Sequence, residues 1–341
     1  MSTPTNYHMS LSYFILNNFE LNSHFYTCPD NWTMSEEERA KRPYLGLYFM
    51  TSGSFFVILY LLCLASMLNR ERIHIPAFKI MICLAIFDIP SECINSVATG
   101  YMGFYGIYYC DYPRLTFILG AIVFGAWVGC SASSITLALC RISEINQKLN
   151  LHWIFHSSFI YLLLFFSFVV ASYGMFFTKP PIFRPEYMTW FFDAGIGFDP
   201  SYYYNVSQVI NNISLTVITL SLYTYLVSSL IRKGNNIESA QFTKTQRQVI
   251  LQAAIICFFH SIGSLVCVYM QLFYSPKWLI VAAHVCWQCC TGCASVIYLT
   301  LNQTIRSSVR KMICPARFQN DNRVSNASDG MLRTNASEVI S

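Results

Sequence analysis

The chain has 341 residues, of which 54% are apolar or aromatic and only 11% charged. Soluble domains carry roughly twice that charge, so the polar surface is too small to cover a water-soluble globule, which argues against a soluble enzyme. The same figures exclude disorder outside the tails. The net charge of +5 is no basic patch for nucleic acid, because the charges fall between long uncharged stretches.

Residues 1–42 read as an N-terminal extracellular segment. Its start lacks the basic region and apolar core of a cleavable signal peptide. It holds the glycosylation sequon Asn31-Trp32-Thr33. Beyond it come uncharged runs over residues 43–69, 115–140, 149–178, 200–231, 248–276 and 278–305. Each exceeds the ~20 residues needed for a helix to cross hydrocarbon, and a backbone without water must be helical. A seventh apolar stretch, over residues 76–102, contains Lys79 near one end and Asp88 and Glu92 inside. The expected fold is all-α, a seven-transmembrane helix bundle. Its spans cover about 44–68, 76–102, 115–141, 153–177, 205–231, 248–273 and 278–303.

Orientation follows from lysine and arginine in the connections. With the N-terminus outside and the C-terminus inside, 15 basic residues are inside and 7 outside. The longest outer loop, about residues 178–204, is rich in proline and aromatics, including Tyr187, Trp190, Phe191, Phe192 and Tyr202 to Tyr204. Such rings suit a bilayer interface; a lid over a pocket is the alternative. A second sequon at Asn205 stands close to the membrane. After the last span, residues 305–314 place Ile305, Val309 and Met312 on one face with basic residues between. This is the pattern of an amphipathic helix on the inner membrane surface. Cys314 at its end is either a palmitoylation site or a free thiol. Residues 315–341 read as a disordered cytoplasmic tail.

Among residues with chemistry, several patterns resolve into packing. His152 and His156 match a metal-binding spacing, but only seven histidines exist, scattered along the chain. Cys286, Cys289, Cys290 and Cys293 lie in a membrane helix, where small polarizable side chains pack against neighbours. There is no phosphate-binding glycine loop and no Ser-His-Asp constellation, so neither enzyme activity nor a cofactor or metal is expected.

Charges inside a membrane are costly and mark function. Asp88 and Glu92 share one helix face, continued by Asn95 or Ser96 and then Thr99. Other polar groups fall in the outer halves of the spans: Gln208, Asn211 and Asn212; Tyr269 and Gln271; His284, Trp287 and Gln288. The candidate ligand site is Glu92, Asn95, Thr99, Gln208, Asn211, Tyr269, His284, Trp287 and Gln288, lining a cavity open to the outside. Interhelical contact is the competing role for any one of them.

Leu139-Cys140-Arg141-Ile142 resembles the Asp-Arg-Tyr element of G-protein-coupled receptors, with Cys140 in place of the acid. Leu84-Ala85-Ile86-Phe87-Asp88 resembles their second-span aspartate motif. Residues 297–306, beginning Ile297-Tyr298, are similar to their junction with the juxtamembrane helix. Ala294-Ser295 stands where Asn-Pro is usual, and span six reads Cys257-Phe258-Phe259-His260 without the familiar Trp and Pro. Such departures resemble nematode chemoreceptors. Lys41-Arg42-Pro43-Tyr44-Leu45-Gly46-Leu47-Tyr48, the stretch from Cys93 to Tyr101, and Tyr109-Cys110-Asp111-Tyr112-Pro113 are similar to serpentine receptor class T. The resemblance implies a chemosensory receptor in the plasma membrane of sensory neurons, with the cilium a candidate site. It also implies an external small-molecule or peptide ligand and signalling to a heterotrimeric G protein, with Arg141, Tyr298 and Asp88 in activation. A multi-pass transporter or ligand-gated channel using Asp88 and Glu92 in the ion path is the alternative; it lacks the internal repeats common in transporters. The usual receptor bridge to the second outer loop is impossible, because that loop has no cysteine. Only Cys28 and Cys110 lie clearly in outer segments, so a Cys28–Cys110 disulfide is expected, with two unpaired thiols as the alternative.

Overall fold

Proline begins three of the long helices. Pro43 opens α1 (Pro43–Met67), Pro76 opens α2 (residues 76–105) and Pro113 opens α3 (Pro113–Ile145). The missing N–H of proline costs nothing at a first helical position, where it has no intrahelical acceptor. The chain continues through α4 (Phe159–Phe177), α5 (Val206–Gly234), α6 (Lys244–Leu272), α7 (Lys277–Leu301) and the short α8 (Gln303–Ile313). The computed structural model describes residues 6–30, 32–145, 152–234 and 244–313. The predicted Asn31 sequon, Cys314 and the tail lie outside the described residues.

Five helices, α1, α3, α4, α5 and α7, are long and apolar enough to cross a membrane, and α6 carries a shorter apolar stretch, Ala254–Met270. Their outward faces are apolar: Phe55, Ile58 and Leu61 on α1, Leu162, Phe165 and Phe166 on α4, and Ile210 and Val217 on α5 are all exposed. A continuous exposed apolar belt of this kind requires lipid, not water, around it.

The second span has its own construction. Pro76–Glu92 is α-helical, Cys93–Ala98 forms a π-helical turn, and Thr99–Tyr105 resumes the α-helix; together they make α2. Pro90, inside the first piece, cannot donate to the helical ladder. The wide turn follows three residues later, and the Thr99 hydroxyl donates to the Ile94 carbonyl at 3.0 Å within it. Helices α1 and α2 touch backbone to backbone: a Cβ on Gly46 would fall 2.7 Å from the Gly100 carbonyl oxygen, and one on Gly100 2.6 Å from that of Gly46. Small residues permit such an approach, and any side chain would push the helices apart.

One end of the bundle is capped by the N-terminal segment. Met9, Leu11, Phe14, Phe25 and Tyr26 are buried there, in one cluster with Phe117 and Ala121 of α3 and Tyr203. The Tyr109 hydroxyl donates to the Tyr26 carbonyl at 3.1 Å. A disulfide joins Cys28 to Cys110, with their Cα atoms 5.7 Å apart. Beside it, Arg39 grips Asp111 with two hydrogen bonds of 2.7 and 3.0 Å and donates to the Gly106 carbonyl at 3.2 Å. Asp111 also accepts from the Tyr108 backbone N–H at 2.8 Å. Gly106, with φ of 64°, ends α2 in the left-handed conformation that glycine adopts without strain.

One span is divided and one helix face is used differently from the sequence expectation. The predicted span 153–177 is divided into a separate short helix, His152–His156, and α4. Ser157 intervenes, its hydroxyl accepting from the Phe159 N–H at 3.2 Å, a side-chain bond that competes with the helical ladder. Helix α8 uses Ile305 and Val309 as expected, but both are buried against the core cluster of the bundle, while Met312 is exposed.

Partial burial pushes the Asp111 carboxyl up, but the hydrogen bonds from Arg39 and Tyr108 and the Arg39 charge outweigh it and hold it below its ordinary range. A carboxyl depressed by folding stabilises the fold above its unfolded value near ~3.9 and loses that contribution as pH falls through the lower folded value. We expect Asp111→Asn to lower stability by about 1–2 kcal/mol at neutral pH, the scale of a partly solvated charge-assisted pair. In thermal unfolding of the solubilised chain, that deficit should vanish as pH falls below the carboxylate range. A deficit that is constant with pH would contradict this.

Candidate functional site

A cavity of about 400 Å³ opens between α3, α5, α6, α7 and the long connection after α4. Helix α3 contributes Val123, Phe124 and Trp127, α5 Gln208, and α7 Ala283, His284 and Trp287. From α6 come Gly263, Cys267 and Met270, at i, i+4 and i+7 and so on one face. The remaining wall is the connection itself. Its antiparallel strands β1 (Ile182–Arg184) and β2 (Thr189–Phe191) form a hairpin that dips into the mouth of the bundle. Gly120 makes the approach possible, because a Cβ there would fall 1.7 Å from the Pro181 carbonyl oxygen.

The hairpin is fastened to α2 and α7. Trp190 donates from Nε1 to the Thr99 hydroxyl at 2.7 Å. His284 Nε2 stands 2.7 Å from the Asn95 carbonyl oxygen, and its Nδ1 stands 2.9 Å from the Thr189 hydroxyl. A carbonyl only accepts, so Nε2 carries the proton and Nδ1 accepts from Thr189. Both imidazole nitrogens are therefore committed to structure.

Below the hairpin, α2 and α7 are joined by a chain of side-chain hydrogen bonds. Glu92 accepts from Ser96 at 2.7 Å and from Thr291 at 2.6 Å. Asn95 donates to the Thr291 hydroxyl at 3.1 Å. One turn deeper, Asp88 accepts from Tyr60 of α1 at 2.6 Å and from the Cys130 thiol of α3 at 3.0 Å. Tyr298 of α7 packs edge-on against Tyr60, with ring centres 6.1 Å apart. At the far end of α3, Arg141 is buried and donates to Glu144 at 2.9 and 3.2 Å.

Of the nine residues expected to line a ligand site, the cavity wall includes Gln208, His284 and Trp287. Glu92, Asn95 and Thr99 are fully buried and hold the helices and hairpin together instead. Gln288 points the other way round α7, donating to Ser52 of α1 at 2.8 Å. Asn211 donates to Ser131 at 3.1 Å, beside the Trp127 Nε1 bond to Asn212 at 2.8 Å. Tyr269 is exposed and stacks on Phe273. It sits one residue from the lining position Met270, a rotation of roughly 100° on a helix, which turns it outward. Asn205 of the second sequon is buried and donates to the Lys179 carbonyl at 3.0 Å, so it offers no amide for glycan.

The aromatics of the long connection take the lid arrangement that the sequence offered as the alternative, and Trp127 of α3, which sequence reasoning missed, joins them in the wall. Trp190 and Tyr203 are buried inside the bundle mouth, not spread at a bilayer interface. Trp127 stacks on His260 with ring centres 5.8 Å apart and meets Trp287 edge-on at 6.3 Å, forming one side of the cavity. The Trp287 Nε1 hydrogen is shut off from solvent and has no hydrogen-bond partner among the described residues. A buried donor left without an acceptor costs about 1–3 kcal/mol, so the Trp287 ring holds its place in the wall at a local cost to the fold.

Removing the tie between hairpin and bundle has a local consequence. Thr99→Val leaves the Trp190 N–H without its acceptor, and backbone amides of residues 182–191 should exchange with solvent about 10-fold faster, the equivalent of ~1.4 kcal/mol. Hydrogen-exchange mass spectrometry checks this, and unchanged protection would contradict the tie.

Comparison with known proteins adds the lineage. Residues 9–322 match the family model for the serpentine type 7TM GPCR chemoreceptor Srt. The chain is 28% identical over 277 residues to serpentine receptor class T-55 of Caenorhabditis elegans, a match spanning 79% of this chain and 75% of that protein. A match across most of the chain, on a bundle whose helices are built to cross a membrane, establishes a multi-pass membrane protein: the chain belongs to the Srt family of seven-helix serpentine chemoreceptors.

Proposed function

We propose that this chain detects an external, compact and mainly apolar molecule in the cavity beneath the hairpin and signals to a heterotrimeric G protein at the opposite face. The aromatic-walled cavity beneath the hairpin carries the ligand reading. The walls are aromatic and aliphatic, and Asp193, a charged residue at the rim, lies 3.5 Å from Arg184. A guest that fits is uncharged and flat enough to lie against Trp127 and Trp287.

Orientation has two supports. The basic residues divide 15 to 7 in favour of N-out and C-in. The disulfide Cys28–Cys110 stands at the N-terminal end of the bundle, and disulfides persist in oxidising compartments. A tag after Ser341 should be reached by antibody only in permeabilised cells. Labelling of that tag in intact cells would reverse the assignment.

At the inner face, Glu144 supplies the acid that Cys140 does not. It neutralises Arg141 from one turn further along α3, and the pair holds the guanidinium against its own helix. Ligand binding shifts the bundle towards a state in which Arg141 contacts the G protein. With a ligand found by screening, Trp287→Ala should raise the half-maximal concentration by about 10-fold, the loss of one aromatic wall contact of ~1.4 kcal/mol, without lowering surface expression. Arg141→Ala should suppress ligand-stimulated nucleotide exchange, and Glu144→Gln should raise basal exchange. Unchanged exchange in both α3 variants, at equal surface expression, would remove the inner-face role.

A further inference from the structure

Three side chains from three helices converge in the core below Trp127. Asp88 Oδ1 of α2 lies 3.0 Å from Cys130 Sγ of α3, and that sulfur lies 3.2 Å from Nε2 of His260 on α6. The three donor atoms all lie within 4.8 Å of one another, and the residues are completely buried. His260 Nδ1 is 2.9 Å from the Ile256 carbonyl oxygen of its own helix, which can only accept, so the ring proton is on Nδ1. Nε2 therefore presents a bare lone pair to the thiol. This is the arrangement in which an outer carbonyl fixes the tautomer of a metal-binding histidine and leaves the other nitrogen to ligate. The far carboxylate oxygen, Oδ2, is likewise held in place by the Tyr60 hydroxyl at 2.6 Å.

We propose that Asp88, Cys130 and His260 bind a thiophilic divalent metal ion, of which zinc is the best match. The donor set is one thiolate, one imidazole nitrogen and one carboxylate oxygen. It suits zinc or copper, and it suits a hard ion such as sodium, magnesium or calcium poorly, since those take several oxygens. Binding replaces the thiol proton, which leaves to solvent: the S–H bond breaks, a metal–sulfur bond forms, and no electron is transferred. Small movements bring donors at these separations to the ~2.0–2.3 Å bond lengths of zinc. Three protein ligands leave a coordination position open. Trp127 lies in the cavity wall and stacks on His260, so the cluster sits directly beneath the cavity. A bound ion ties α2, α3 and α6 together in the middle of the bundle. The alternative occupant is a chain of hydrogen bonds running through the neutral thiol.

Cobalt(II) distinguishes the two, as a spectroscopic stand-in for zinc. The purified full-length chain in nanodiscs, stripped with chelator, should bind one cobalt ion with a thiolate-to-metal charge-transfer band and the visible bands of a tetrahedral site. Zinc should bleach both. Cys130→Ser should abolish the charge-transfer band, and His260→Gln should weaken cobalt binding by ~100-fold or more. Cys290→Ser, which alters a thiol bonded to Phe259 instead, should leave the spectrum intact. Each variant is compared at a matched monodisperse peak. Should Cys130→Ser fail to fold, zinc must still raise the melting temperature of the wild type and fail to raise that of folded His260→Gln. The proposal is overturned by absence of a cobalt band in wild type, or by a band unchanged in Cys130→Ser. An equal zinc-induced shift in wild type and His260→Gln overturns it too.

Discussion

The polar stripe of α2 is the constraint on which the rest of the bundle depends. Asp88, Glu92, Asn95, Ser96 and Thr99 lie on a helix in a span, and all are buried. Groups of this kind must find partners inside the protein, because hydrocarbon offers none. Four of them reach partners on other elements, while Ser96 donates to Glu92 within α2. Asp88 takes Tyr60 of α1 and Cys130 of α3; Glu92 and Asn95 take Thr291 of α7; the Asn95 carbonyl takes His284; Thr99 takes Trp190 of the hairpin. One helix thus organises the core and holds the cover of the cavity in place.

The π-helical turn is part of this arrangement. Pro90 removes a donor from the ladder, and in the wide turn after it the Ile94 carbonyl accepts from both the backbone N–H and the hydroxyl of Thr99. The same hydroxyl accepts from Trp190, so one atom serves the backbone of α2 and the hairpin together. Gly46 and Gly100 let α1 come close enough to close the other side. The division of labour that results is simple. Committed polar groups, such as both nitrogens of His284, hold structure. The rings of Trp127 and Trp287 and the side chain of Gln208 are left to line the cavity.

Much of this was legible in the sequence, for physical reasons. Uncharged runs longer than a bilayer is thick read directly as spans, and Asp88 and Glu92 stood out because a charge inside such a run is costly. Thiols in oxidising segments were few enough to single out Cys28 and Cys110, which the structure joins. The cavity wall was less legible. Polar residues in outer half-spans read alike whether they face a guest or a neighbouring helix, and one residue of register separates Met270 in the wall from exposed Tyr269. Aromatics in the long connection have the same composition whether they float at an interface or fold inward; only the Pro181 approach over Gly120 decides it. The partner of Arg141 was visible as Glu144 at i+3 but was obscured by Cys140 at the position where an acid is usual.

The most direct test of α2 as organiser is a double-mutant cycle between Thr99 and Trp190, read as thermal stability of the solubilised chain. Thr99→Val and Trp190→Phe each remove one side of the bond, and the double variant removes both. The account predicts a coupling of about 0.5–1.5 kcal/mol, the range of a buried neutral hydrogen bond. Strictly additive losses, with no coupling between the two sites, would contradict it.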